Sequence, residues 1–205
     1  MLFCICLFYA SKIVKNILPT INIRFVAVLL LYDFESCAEY CIFVDYKTNV
    51  FFAMLGEITL RYESYDSIDK MSEADRVLVV AALEACQKAN APYSNFRVGA
   101  AARLADGRII SAANSESEVF PSGMCAERSL LYFYQSNYAS EPIEALAIAS
   151  DTSQGECYPC GGCRQTLLDV ERRQSSPMRI IMSGGGSASI VGSAADLMPF
   201  SFKLK

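Results

Sequence analysis

Two short strings, Met124-Cys125-Ala126-Glu127-Arg128 and Pro159-Cys160-Gly161-Gly162-Cys163-Arg164-Gln165, each place cysteine at the start of a predicted helix. The N-terminus of a helix carries roughly half a positive charge, which lowers a thiol pKa and favours the metal-binding thiolate. Cys160 and Cys163 are three apart and share one face of their helix. Gathered with Cys125, they make a set of three thiolate ligands drawn from two helix starts. Structural zinc takes four protein ligands, whereas three leave a position for water, the arrangement of catalytic zinc. The chain contains no histidine, so an imidazole ligand, an imidazole base and every Ser-His-Asp or Cys-His hydrolase are excluded.

Glu127 lies two residues after Cys125. At a helix start it can sit beside the metal without binding it, and a carboxylate there can take a proton from water and deliver it to a substrate. Three thiolates leave a zinc site with net negative charge, which weakens the metal's pull on water, so a cation is expected close by. Arg128 and Arg164 follow the two ligand strings directly. Arg128 is the better placed, being nearer Cys125 and the mouth of the site.

The composition changes near residue 54. Residues 1–53 contain no glycine and a single proline, Pro19, and 37 of the 53 are apolar. Globular domains need glycines in their turns, so this stretch is not expected to be an ordinary domain. Met1–Ala10 is apolar but has no positive segment before it and is too short for a span of about 20 residues. Phe25–Tyr32 is shorter still. We expect 1–53 to be an N-terminal extension from an over-extended gene start, with 54–205 as the domain. The alternative for 1–53 is a targeting segment. Cys37-Ala38-Glu39 repeats the Cys-Ala-Glu string, but no arginine follows it and no second Pro-Cys-x-x-Cys completes it. It is read as chance.

From residue 54 the pattern predicts alternating elements. Ile58–Tyr62 reads as a short strand or arm. Ser72 with Asp75 forms a capping box ahead of an amphipathic helix over 74–89, with apolar positions at 77, 78, 81, 82 and 85. Strands over 96–104 and 108–113 flank Asp106-Gly107, a hairpin signal. A helix over 124–135, a buried strand over 143–149, a helix over 161–172 and strands over 178–182 and 188–191 follow. The fold class is α/β: a mixed β-sheet sandwiched between helices, three layers in the order α-β-α.

Lys and Arg total 18 against 22 Asp and Glu, a formal net charge of −4. A mildly acidic chain has no electrostatic reason to bind a nucleic acid polymer or an anionic membrane, and a small uncharged substrate suits it better. The nine cysteines do not follow the spacing of a small secreted disulfide scaffold, and the Pro-Cys-x-x-Cys points to a metal in a reducing compartment. Cys86 reads as a buried residue on its helix, and Cys157 has no assigned role.

The pairing of Cys-Ala-Glu with Pro-Cys-Gly-Gly-Cys corresponds to the zinc nucleobase deaminase pattern in its three-cysteine form. Residues from about 72 to 202 resemble the small homotetrameric cytidine deaminases. Tyr93-Ser94-Asn95-Phe96-Arg97-Val98-Gly99-Ala100-Ala101 is similar to the first motif of that family, Asn114-x-Glu116 to its ribose-binding pair, and 197–202 to its C-terminal tail. The resemblance implies that Cys125, Cys160 and Cys163 bind one Zn²⁺ per chain and that Glu127 is the general acid/base. It implies that the Ala126 backbone holds the cytosine ring, that Phe96 packs near the base, and that Phe202 stacks on it from a neighbouring subunit. Asn114 and Glu116 would bind the ribose hydroxyl, Arg128 would temper the thiolates, and Gln165 would support the metal ligands. The implied reaction is hydroxide attack on C4 of cytidine or 2′-deoxycytidine, protonation of N3 by Glu127 and loss of ammonia. The implied setting is pyrimidine salvage by a cytoplasmic homotetramer that binds a nucleoside and neither membrane nor nucleic acid.

Ser117, Glu118, Val119 and Phe120 depart from the family's usual residues, which bears on substrate preference and on the subunit interface. Two other readings stand beside this one. One is a deaminase of another aminopyrimidine nucleoside such as blasticidin S. The other is a non-enzymatic, zinc-stabilised module. Phe96 and Phe202 could also serve as packing residues, and Asn114 as a turn or cap.

Overall fold

The computed structural model describes residues 40–44, 50–54, 56–174 and 176–203. Met1–Ala10, Phe25–Tyr32 and Cys37–Glu39 lie outside them. The chain divides into two units, at Glu57 and Ile58. In the first, β1 (Tyr40–Val44) and β2 (Val50–Met54) form an antiparallel ribbon in which Tyr40 pairs with Met54 and Val44 with Val50.

The second unit is built on a six-stranded mixed sheet. Its strands are β3 (Tyr62–Tyr65), β4 (Gly99–Leu104), β5 (Ile109–Ala113), β6 (Ile143–Ser150), β7 (Arg179–Gly184) and β8 (Ser187–Val191), in the order β3-β8-β7-β6-β4-β5. β6 and β7 are parallel and are joined through a helix, while the other neighbouring pairs are antiparallel. The helices are α1 (Glu73–Cys86), α2 (Ala126–Asn137) and α3 (Gly161–Gln174). The apolar run of β6 is central, as expected, and is buried on both faces because helices cover both. Ala101, Ala145, Ala147, Ala149 and Ile181 meet Leu78, Val79 and Ala82 of α1. Ala100, Leu104, Leu146, Ile148 and Ile180 meet Leu130 and Leu131 of α2 and Leu167 and Val170 of α3. Period-2 alternation along each strand separates the two cores, so the three-layer α-β-α expectation holds.

Several boundaries moved for identifiable reasons. The short strand begins at Tyr62 rather than Ile58. The helix expected over 74–89 closes at Cys86, because residues 87–89 bond back three residues (Lys88 N–H to the Ala85 carbonyl, 2.9 Å) in a tighter turn. Its buried face is Leu78, Val79, Ala82, Ala85 and Cys86, and Val77 is exposed. The 77–83 stretch is apolar all round, so periodicity alone does not set its phase. Contact with β4 sets it: a Cβ on Gly99 would lie 2.9 Å from the Cys86 backbone nitrogen and closer still to the Ala82 carbonyl oxygen. Ser72 caps α1 as expected, accepting the Asp75 N–H at 3.2 Å. Asp75 itself is buried and holds Arg179 of β7 at 3.1 Å, a tie between helix and sheet that the sequence pattern did not reveal. The hairpin turn at Asp106-Gly107 is present, with Gly107 at φ +87°.

Candidate metal and catalytic site

α2 and α3 pack on the same face of the sheet, and their N-termini carry the three cysteines. Ser115 and Met124 exchange backbone hydrogen bonds (2.9 and 2.8 Å), so the helix expected from Met124 starts at Ala126 and Cys125 becomes its N-cap. Cys160 directly precedes α3, and Cys163 is buried in its first turn. The Sγ atoms of Cys125, Cys160 and Cys163 all lie within 4.8 Å of one another, with Cys160 and Cys163 at 3.4 Å. Tetrahedral zinc at its usual bond length of about 2.3 Å spaces sulfur ligands by roughly 3.8 Å. The set therefore fits one zinc ion and, among the described residues, supplies three of its four ligand positions.

The electrostatics favour thiolate at Cys125. A hydrogen bond from Cys163, and then the Arg128 guanidinium, lower its pKa to about 5 against the opposing effect of burial. Cys163, the donor in that pair, is pushed up. Arg128 Nη2 lies 3.6 Å from Cys125 Sγ, while its Nε is buried and has no partner among the described residues. Arg164 donates from Nε to the Pro159 carbonyl at 2.9 Å. Glu127 is 4 % exposed, and burial, with the nearby Cys125 charge, raises its carboxyl pKa above the ordinary 4.5. Gln165 bonds Asp169 on its own helix at 2.8 Å.

The residues expected to hold a nucleoside form a wall made from two segments. Asn114 Oδ1 accepts the Val98 N–H at 2.8 Å and its Nδ2 donates to the Phe96 carbonyl at 2.9 Å. This side chain acts as a rung of the ladder, so β4 begins at Gly99 rather than at Phe96. Glu116 accepts the Tyr93 N–H at 2.8 Å, the Ser94 N–H at 3.2 Å and the Ser94 hydroxyl. These bonds hold its carboxylate below its ordinary pKa, the hydroxyl bond most strongly. Phe96 is 43 % exposed on this wall and Ala126 is fully buried. Ser94 was not among the sequence-derived site residues. Its signal was membership of the 93–101 motif, but what it touches depends on a fold contact 22 residues away.

The tail is placed differently. Arg172, in the last turn of α3, donates to the Phe202 carbonyl at 3.2 Å and to Ser201 Oγ at 2.6 Å. Nine residues of helix, ~13 Å at 1.5 Å per residue, separate Arg172 from Cys163. Phe202, 68 % exposed, is thus tethered at the end of α3 opposite the cysteines of its own chain. Cys86 is buried as expected and donates to the Ala149 carbonyl at 3.3 Å. Burial pushes Cys157 up to about 12.

Among the described residues, no helix is long and apolar enough to cross a membrane. A family model for the cytidine and deoxycytidylate deaminase zinc-binding region matches residues 72–176. The chain is 36 % identical over 95 residues to the cytidine deaminase of Halalkalibacterium halodurans, covering 46 % of this chain and 70 % of that one. It is 36 % identical over 92 residues to the cytidine deaminase of Sporosarcina psychrophila, covering 45 % and 66 %. The crystal structure of cytidine deaminase from Burkholderia pseudomallei superposes with a TM-score of 0.56 at 33 % identity, over 64 % of this chain and all of that one. A matched zinc-binding region spanning all three cysteines, on a fold shared with a solved relative, places the chain in the cytidine and deoxycytidylate deaminase family.

Proposed function

We propose that the protein is a zinc-dependent cytidine deaminase, converting cytidine and 2′-deoxycytidine with water to uridine and 2′-deoxyuridine plus ammonia. The observation that carries this reading is the buried Glu127 carboxyl, under the influence of Cys125 and Cys163, beside three thiols that lie within 4.8 Å of one another.

When bound at Cys125, Cys160 and Cys163, zinc supplies Lewis acidity and a water-derived nucleophile at neutral pH. Glu127 carries the proton. Its raised pKa suits it to take one proton from the attacking water and deliver it to N3, and then to carry the second, from the new hydroxyl on C4, to the amino group as the C4–N bond breaks and ammonia leaves. The Ala126 backbone holds the ring edge and Phe96 packs on its face. Glu116, fixed by Tyr93 and Ser94, receives a ribose hydroxyl together with Asn114, which first secures the Phe96–Val98 backbone. Arg128 offsets thiolate charge at Cys125, and Gln165 stiffens the first turns of α3 through Asp169.

The catalytic domain lies within residues 54–205, and its compact unit begins at Ile58. The oligomer is a homotetramer, a reading supported by the family resemblance and by an exposed Phe202 tethered at the end of α3 away from its own cysteines, which leaves it available to a neighbouring subunit. Cytoplasmic pyrimidine salvage is the setting, supported by the free thiols of the metal site and the mild negative charge. The test is to incubate protein carrying one zinc per chain with cytidine and follow uridine and ammonia together. Equal amounts of both are expected. No uridine from cytidine or deoxycytidine, with zinc in place, contradicts the reading.

A further inference from the structure

Cys160 sits directly before α3, where its carbonyl accepts the Arg164 N–H at 2.9 Å, and it ends the irregular segment 151–160 that leads into that helix. Its place therefore depends on what holds that segment as well as on the helix. The segment lies against the backbone at the end of β7. The Cys157 N–H donates to the Ser183 carbonyl at 3.2 Å. A Cβ on Gly184 would lie 2.2 Å from the Gly155 carbonyl oxygen and 3.4 Å from the Cys157 nitrogen, and one on Gly185 2.3 Å from the Gln154 carbonyl oxygen. Backbone packs on bare backbone here, with no space for any side chain.

If a side chain were added at Gly184, the loop and not the strand would move. Gly184 is paired on both sides, with Ser150 of β6 and Ser187 of β8, whereas 151–160 belongs to no strand or helix. Displacing Gly155 and Cys157 shifts a chain that reaches Cys160 within three to five residues. The same loop also meets the 96–98 segment, where the Arg97 N–H donates to Thr152 Oγ1 at 3.1 Å. Metal–ligand distances tolerate only about 0.2 Å, so a sub-ångström loop shift is felt at the ion.

We propose that the Ser183–Gly185 backbone is a seat that positions the zinc ligand Cys160, with Gly184 as the positioning residue. The proposal rests on the zinc reading of the three thiols. The turn contains its own control in Gly186, which has φ +87° and no atom within 4 Å of an added Cβ. Gly186→Ala strains the turn without touching the loop.

The experiment is a zinc-affinity titration against a chromophoric chelator, with circular dichroism on each variant to confirm that it folds. Loss of an outer support of a metal ligand commonly costs 10–100-fold in metal affinity, so Gly184→Ala should bind zinc at least about tenfold more weakly, and Gly186→Ala within about twofold of wild type. Wild-type affinity in folded Gly184→Ala, or an equal loss in Gly186→Ala, overturns the seat. If Gly184→Ala does not fold, amide exchange at Cys157 in the wild type decides. Coupling between seat and site is reciprocal, so zinc must slow exchange there, and an unchanged rate overturns the proposal. Wild-type protein that takes up no zinc removes the zinc reading itself, and the seat with it.

Discussion

Arg128 Nη2 stands 3.6 Å from Cys125 Sγ, so the cation of this site acts on the one thiol that caps α2. Replacing it by glutamine, a shorter uncharged residue that is also a good helix former, removes the positive charge and leaves the helix intact. Arg128→Gln should weaken zinc binding or lower kcat/KM for cytidine by about 10–100-fold, the usual cost of losing a group that supports metal ligands. Parallel zinc titration and initial-rate measurements check this, and unchanged values in both contradict it.

In the zinc-free protein Cys125 should react as a thiolate. Its pKa is lowered to about 5 from the ordinary 9.0 by the Cys163 hydrogen bond and the Arg128 charge. The deprotonated, nucleophilic form therefore prevails above pH 5 and is lost as the pH falls through that value. Alkylation followed by peptide mass analysis should show Cys125 modified first at pH 7, with a rate midpoint near 5. A midpoint near the ordinary thiol value contradicts the geometry.

Ser94 should matter for substrate affinity more than for turnover. Its hydroxyl and N–H, with the Tyr93 N–H, hold Glu116 as a carboxylate below the ordinary 4.5. The sign follows: this tie is fully present above pH 4.5 and is lost as the pH falls through the lowered pKa. Ser94→Ala should raise the Glu116 titration midpoint toward 4.5, read by carboxyl NMR. It should also raise KM for cytidine about three- to tenfold with kcat little changed, a range in keeping with one charge-assisted hydrogen bond near solvent. An unmoved midpoint with unmoved KM removes this role.

The cores and the gathering of the three cysteines were legible in the sequence because each rests on local pattern. The apolar run 143–149, the Asp106-Gly107 turn and the cysteine spacings carry their own physics within a few residues. Asn114 and Glu116 were visible as residues but not in their bonding, because their partners at 93–98 are distant in sequence. The phase of α1 was hidden by an all-apolar stretch, and Gly99 fixes it only through contact with Ala82 and Cys86. The buried clusters around Asp75 and Glu171 were likewise hidden, since a carboxylate's partners on other elements leave no periodic trace.

Glu171 separates stability from chemistry. It is buried and accepts the Met178 N–H at 2.8 Å, the Ala194 N–H at 2.7 Å and the Ser193 hydroxyl at 2.7 Å, far along α3 from the cysteines. Glu171→Gln turns a donor toward these donors and should cost about 2–3 kcal/mol of stability. The melting temperature should fall while kcat per zinc stays at the wild-type level. An unchanged melting temperature shows that the cluster contributes little.

The central claim is that Glu127 moves the proton at a site held by three thiols. The most direct measurement is the rate of cytidine loss by absorbance, at about 280 nm for the cytosine ring, for wild type and Glu127→Ala with equal zinc per chain. The account predicts rapid loss in wild type and at least about a hundredfold less in the zinc-loaded variant, the scale of general acid–base catalysis. A zinc-loaded Glu127→Ala protein that turns over cytidine at the wild-type rate would contradict it.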